Sequence, residues 1–370
     1  MSDETATAGG RGEQRDGRLG WLDGSLASVV LGSVAVVVLA GLVQVSFGTY
    51  SMSLATAWNS VFDPDIFLNL DAWHAFLTGG EAPEMDNETL IVWTIRLPRV
   101  FVAMFVGMNL AVSGAIFQAV TRNELASPYV LGVSSGAGLA ILLGLIVFTG
   151  LTSYLPLLAA LGGTAAFLLV YAIAWQGGTN PVRLILAGVI VSTVFNSLQT
   201  GVFYFADDLG AVQSAIAWTT GSLTGVDWEQ VRTVAPWTAI FLPFALLTSR
   251  QLNVLLLGER TAQSLGMSVE RVRFGVSAVA IILAAASVAV AGLVGFVGLV
   301  VPHMVRTVVG SDYRRVMTGC VFAGPALVVL ADVGARLALA TQIPVGIVTG
   351  IIGGPYFLYL MRKQGTVGEL

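Results

Sequence analysis

The chain has one lysine among its 18 basic residues, one cysteine, two histidines and only 11% charged side chains over 370 residues. Each shortage excludes something. A phosphate-cradling loop of the Gly-Lys-Ser/Thr kind needs a lysine followed by a hydroxyl, and Lys363 is followed by Gln364. ATP hydrolysis by that route is excluded. Cys320 alone can form neither an intrachain disulfide nor a cysteine metal cluster. His74 and His303 lack companions at metal-ligand spacing, and paired intramembrane carboxylates do not occur. No catalytic residue, metal site or cofactor is therefore expected in this chain. Lysine scarcity itself has two readings that stay open, arginine-rich codon usage or an acidic, lysine-poor surface suited to high salt.

What the chain does have is apolar length. With 55% hydrophobic residues and a mean hydropathy of +0.82, it reads as an all-α integral membrane protein. Runs near the roughly 20 residues that cross a bilayer occur at 26–47, 98–120, 131–149, 154–175, 183–205, 234–249, 272–291, 293–307, 318–340 and 344–361. Ten spans follow, in one transmembrane domain over 26–362, with a polar tail at 1–25 and a C-terminal segment at 363–370. The first run reads as a span and not as a cleaved leader, because its flank mixes both charge signs. With the N-terminus inside, 14 cations fall on inner segments and only Arg96, Arg99, Arg232 and Arg336 on outer ones. That asymmetry predicts a cell-membrane protein with both termini cytoplasmic. The outer loop 50–95 carries seven acids before Arg96.

Several patterns point to function. From Ala291 to Arg306, Gly292, Gly295, Gly298 and Pro302 interrupt an apolar run, predicting a thinned helix broken at the proline, either tightly packed or beside a conduit. On the fifth span Ser192, Asn196, Gln199 and Thr200 recur at helical spacing, a polar stripe that either bonds across a dry bundle or lines a wide, weakly polar path. Gly346 and Gly350 start a small-residue row on the last span, which close packing also explains. Arg96 and Arg99 lie where cations are otherwise rare; they either pair with the acids of the outer loop or, with Arg336, offer a basic dock for a partner's carboxylates. The inner segment 252–273 mixes apolar and charged residues, punctuated by Gly258 and Gly266. Ala262 and Leu265 could be apolar knobs for a cytosolic motor, or the segment could lie on lipid.

These residues resemble the FecCD family of ATP-binding-cassette importers. The matching segments include Ile95–Arg99, Arg122–Pro128, Leu131–Ala137, Leu186–Gly188, Leu257–Glu259 with Leu265–Gly266, Gly295–Arg306, Ala331–Asp332 with Arg336, and Pro344–Gly346. Within it, Arg183–Gly188, Gly225–Trp228 and Leu330–Ala340 are most similar to cobalamin permeases. The resemblance implies a homodimer of ten-span subunits with a path lined by the fifth and tenth spans. It also implies two ATPase subunits, which carry the ATP and magnesium, docked on Gly258, Glu259, Ala262, Leu265 and Gly266. An extracytoplasmic solute-binding protein would sit on Arg96, Arg99 and Arg336. Asn123 and Leu125 match a cytoplasmic gate, and membrane lipid but no nucleic acid is expected as a further partner. Gln342 stands where family members often carry Glu, which leaves that charge's role open. The expected cargo is cobalamin, with ferric siderophore or haem on the same machinery as the alternative and an ion-coupled secondary carrier as a more distant one.

Overall fold

The computed structural model describes residues 23–48, 50, 52–176, 178–206, 209–338 and 342–365. The expected tail before residue 23 and the end of the chain after residue 365 lie outside the described residues. The elements are all helical: α1 (Gly24–Ser46), α2 (Leu54–Val61), α3 (Pro64–Phe67), α4 (Leu70–Thr78), α5 (Asn87–Ile91), α6 (Leu97–Thr121), α7 (Val133–Leu142), α8 (Leu155–Ala174) and α9 (Pro181–Phe203). They continue as α10 (Leu209–Thr220), α11 (Trp228–Leu247), α12 (Ser249–Leu256), α13 (Glu259–Ser264), α14 (Val269–Ala291), α15 (Val297–Val309), α16 (Tyr313–Leu337) and α17 (Val345–Gly365). Seven are long and apolar enough to cross a membrane, and α7, α15 and α17 are shorter apolar helices. Every one of the ten predicted spans therefore corresponds to a helix.

Caps set where these helices begin. The Asp23 carboxylate accepts from Leu26 N at 3.0 Å to open α1, Asn180 from Val182 N at 2.8 Å to open α9, and Asp312 from Arg314 N at 3.0 Å to open α16. Asp227 and Gln230 make a reciprocal capping box on α11. A π turn over Val92–Arg96 joins α5 to α6, so the helix continues past Pro98, whose missing N–H the wider turn tolerates.

The centre of the bundle is α6 packed between α14 and α16, all three mostly buried, while α1, α8, α9 and α11 lie outside. Backbone approach makes this possible. A methyl on Gly114 would overlap the Gly298 carbonyl of α15, and one on Gly107 would overlap Gly324 of α16. Polar links between spans are short: Asn109 Nδ2 donates to Thr238 Oγ1 at 2.8 Å, and Ser113 Oγ to the Ala280 carbonyl at 2.7 Å. The outer loop folds into α2–α4, sealed by an aromatic cluster in which Phe76 stacks on Trp228 at 4.9 Å and Trp73 meets Trp93 edge-on at 5.2 Å. Trp228 Nε1 donates to the Trp93 carbonyl at 2.6 Å.

One expectation is corrected. The chain does not break at Pro302, which sits inside an intact α15. The break falls earlier, between Gly292 (φ +66°) and Phe296 (φ +65°), because the unwound backbone there finds partners at the end of α10, which in turn accepts from α17. Ser222 N donates to the Ala291 carbonyl at 2.8 Å, Leu293 N to the Trp218 carbonyl at 2.9 Å, and Gly346 N to the Gly221 carbonyl at 3.1 Å. Three interrupted elements, α10, α14–α15 and α17, thus satisfy one another at one junction.

Candidate functional site

At the cation-poor end, Arg96, Arg99 and Arg336 come together, but with their charges turned inward. Arg99 Nε donates to Asp332 Oδ2 at 2.8 Å and its Nη2 to Oδ1 at 2.6 Å, with both residues buried. Gln44 donates to the same carboxylate. Gln342, with its amide oxygen facing Arg99, accepts from that guanidinium. Arg96 is buried and donates to the carbonyls of Val45 and Tyr50, while Arg336 donates to those of Gln44 at 2.8 Å and Phe47 at 3.1 Å. The arginines therefore pair with neither the acids of the outer loop nor open water. They clamp the C-terminal end of α1, whose last carbonyls have no helical partner, onto α6 and α16. Only Arg336, half-buried, stays near the surface. Arg99 alone takes the Asp332 carboxylate, while Arg96 and Arg336 bond only carbonyls, so within this cluster three guanidinium groups stand beside one acid.

The polar stripe lies on α9, a helix that is mostly exposed. Asn196 and Thr200 are exposed and Ser192 and Gln199 half-buried. Gln199 Nε2 bridges to Asn196 Oδ1 at 3.2 Å and to the Ser135 carbonyl of α7 at 3.0 Å, and Ser135 Oγ faces Ser192 Oγ at 3.4 Å. Hydroxyls of Thr193, Ser197 and Thr200 turn back onto carbonyls of their own helix at 2.8–3.0 Å. The result is a weakly polar wall with few outstretched donors. Beside it on α9, Ile190, Val194 and Leu198 form an exposed apolar face. On α17, Gly346 closes on the Thr220 carbonyl, a methyl on Gly350 would stand 3.9 Å from the Phe296 ring, and one on Gly353 would stand 2.6 Å from the Phe296 side chain.

At the opposite end, α13 is delimited by Gly258 (φ +98°) and Gly266 (φ +81°), conformations that side chains resist. The paired apolar knobs need a correction: Ala262 is fully buried in the core, whereas Leu265, just past the helix end, is 64% exposed. Ala262 anchors the helix and Leu265 is presented. Next to it, Arg122 ends α6 in a left-handed conformation (φ +47°), and the Asn123 side chain accepts from Leu125 N at 2.9 Å. Glu124 pairs with His303 at 3.2 Å and Arg306 at 3.1 Å on α15, leaving Leu125 exposed.

Sequence reasoning gave no role to Asp332, Gln44, Arg273 or Phe296. The signal for Asp332 was available: a carboxylate and an arginine, each isolated in its own span near the same end, must find each other or remain unpaired.

The FecCD transport family model matches residues 35–363. The chain is 43% identical over 279 residues, 75% of it and 83% of its relative, to the Fe(3+)-citrate import system permease protein YfmD of Bacillus subtilis. It is 40% identical over 284 residues, 75% of each chain, to the cobalamin import system permease protein BtuC of Halobacterium salinarum. It is 36% identical over 339 residues, 88% of it and 93% of its relative, to the hemin transport system permease protein HmuU of Yersinia pestis. A solved metal-chelate type ABC transporter in an inward-facing conformation superposes with a TM-score of 0.77 at 28% identity, covering 91% of this chain and 99% of that one. Ten apolar helices among the described residues and a family match over most of its length make this chain a member of the FecCD transport family, a multi-pass permease subunit of an ABC importer whose ATPase activity resides in separate chains.

Proposed function

We propose that two copies of this chain form the path for a metal chelate, with α13 facing the cytoplasm, two ATPase subunits docked around Leu265 and an extracytoplasmic binding protein delivering cargo at the Arg336 end. The observation that carries this reading is α13 itself, a short helix fixed by Ala262 beneath and held out from the bundle between two left-handed glycines. Opposite charge asymmetry of the two ends supports the orientation. Asn196 and Thr200 stand exposed on α9, and an amide facing hydrocarbon costs several kcal/mol, roughly 2–7 by transfer. A second copy brings that wall around a watery path and covers Ile190, Val194 and Leu198. Its hydroxyls are mostly satisfied within the helix, so the wall binds cargo weakly, as release inward requires.

For the cargo, a ferric chelate is the first choice. Relatives named for Fe(3+)-citrate and iron(3+)-hydroxamate import are 43% and 38% identical. Cobalamin is the second, favoured by the stretches around Arg183, Trp228 and Asp332 and by the relative at 40% identity. Uptake of labelled ferric citrate, ferric hydroxamate and cobalamin, compared in cells with and without this chain, tests the assignment. Loss of ferric chelate uptake alone fits the first choice, and loss of cobalamin uptake alone overturns it in favour of the second.

A further inference from the structure

Arg273, in the second turn of α14, is 1% exposed and holds three elements at once. Its Nη2 donates to Glu259 Oε1 at 2.7 Å, the first residue of α13. Its Nη1 donates to the Thr179 carbonyl at 2.6 Å and to Thr179 Oγ1 at 2.8 Å, immediately before α9. The same Nη1 lies 3.1 Å from Glu270 on its own helix. Glu270 closes the ring by accepting from Thr179 N at 2.9 Å and Thr179 Oγ1 at 2.8 Å. Tyr171 of α8 adds a longer bond to it at 3.3 Å. One hydroxyl, that of Thr179, thus accepts from the cation and donates to the carboxylate.

The topology gives this ring its meaning. α13 packs on α12 and α14, and α9 begins two residues after Thr179, its cap fixed by Asn180. α9 is the helix that carries the polar wall. A displacement of α13 therefore has a short, charge-assisted route to the entry of α9, through Glu259, Arg273 and Thr179. Charge-assisted bonds are shorter and about twice as strong as neutral ones, and a planar guanidinium holds two directions at once, which an ammonium cannot.

We propose that Arg273 is a positioning residue for transport, the link that makes the α9 wall follow α13 when the ATPase moves it. This rests on the proposed docking of the ATPase at α13. R273A leaves Glu259 and Glu270 facing each other without their cation and can fail to fold, so R273K and T179V carry the test. The importer is reassembled in proteoliposomes from this chain, its ATPase and its binding protein, and cargo transported per ATP hydrolysed is measured. Spin labels at exposed Gln263 on α13 and Val182 on α9, each measured against a fixed label on the ATPase, report the motion separately.

R273K is expected to lower transport per ATP by about tenfold, the scale of one lost charge-assisted contact, with the ATPase still co-purifying. The α13 label should keep its ATP-dependent shift while the α9 label loses it, and T179V should follow the same direction more weakly. Native transport per ATP in both variants overturns the inference. So does a transport loss matched by an equal loss of assembled complex, since that marks a purely structural role. If the native chain retains no ATPase, the reading of α13 as a dock falls first and the inference falls with it.

Discussion

Arg99 and Asp332 meet as a two-pronged, buried ion pair at 2.6 and 2.8 Å, joining α6 to α16 across 233 residues of sequence. Removing one partner of such a pair leaves an uncompensated charge and costs about 3–5 kcal/mol, whereas replacing both by apolar groups is often close to neutral. R99M and D332L should each lower the thermal midpoint of the purified permease sharply, and the R99M/D332L double variant should recover most of the loss. Additive losses would show that the two side chains act separately.

On the proposed orientation, docking of the binding protein falls mainly to Arg336, the half-buried member of the cluster. R336E should weaken binding-protein affinity at low salt while the permease remains folded. The difference from native should shrink in 1 M salt, where the Debye length is about 3 Å. An affinity unchanged by R336E at low salt would assign all three arginines to clamping α1.

Glycine positions divide into two kinds with opposite expectations. A methyl on Gly114 collides with the Gly298 backbone, which cannot move aside cheaply, whereas one on Gly354 meets nothing within 4 Å. G114A should cost about 1–3 kcal/mol by overpacking, read as a lowered midpoint and reduced membrane yield. G354A should be silent in the same assay.

Leu265 and Ala262 separate contact from support at α13. L265E should release the ATPase from the permease in a pull-down without altering the permease's own stability, since the side chain is largely exposed. A262L should instead destabilise the permease, because its methyl group is fully buried. Retention of the ATPase by L265E would move the docking surface elsewhere.

The ten spans were legible because each is a long apolar run bounded by caps and charges, a signal that needs no tertiary information. α10 was not, since Leu209–Thr220 is only 12 residues long and its backbone is completed by Ala291, Leu293 and Gly346 from distant sequence. The sequence reading separated the spans ending at 291 and starting at 293, but the further break expected at Pro302 does not occur, because local propensity marks proline while the actual interruption at Gly292–Phe296 is completed by the end of α10. The arginine cluster was located correctly in sequence, but its partners are Asp332 and the end carbonyls of α1, groups that only the packing of α1 against α16 brings near. The Glu259–Arg273–Thr179 ring was invisible for the same reason: its members look like ordinary loop and helix-end charges until three elements converge.

This permease carries no ATPase of its own, and its cargo moves when a separate ATPase chain drives it. The direct measurement is uptake of labelled ferric citrate into proteoliposomes holding this chain, with and without its ATPase and binding protein, under an ion gradient or under ATP. Uphill uptake is expected only with the ATPase, the binding protein and ATP together. Uphill uptake by this chain alone on an ion gradient would contradict it.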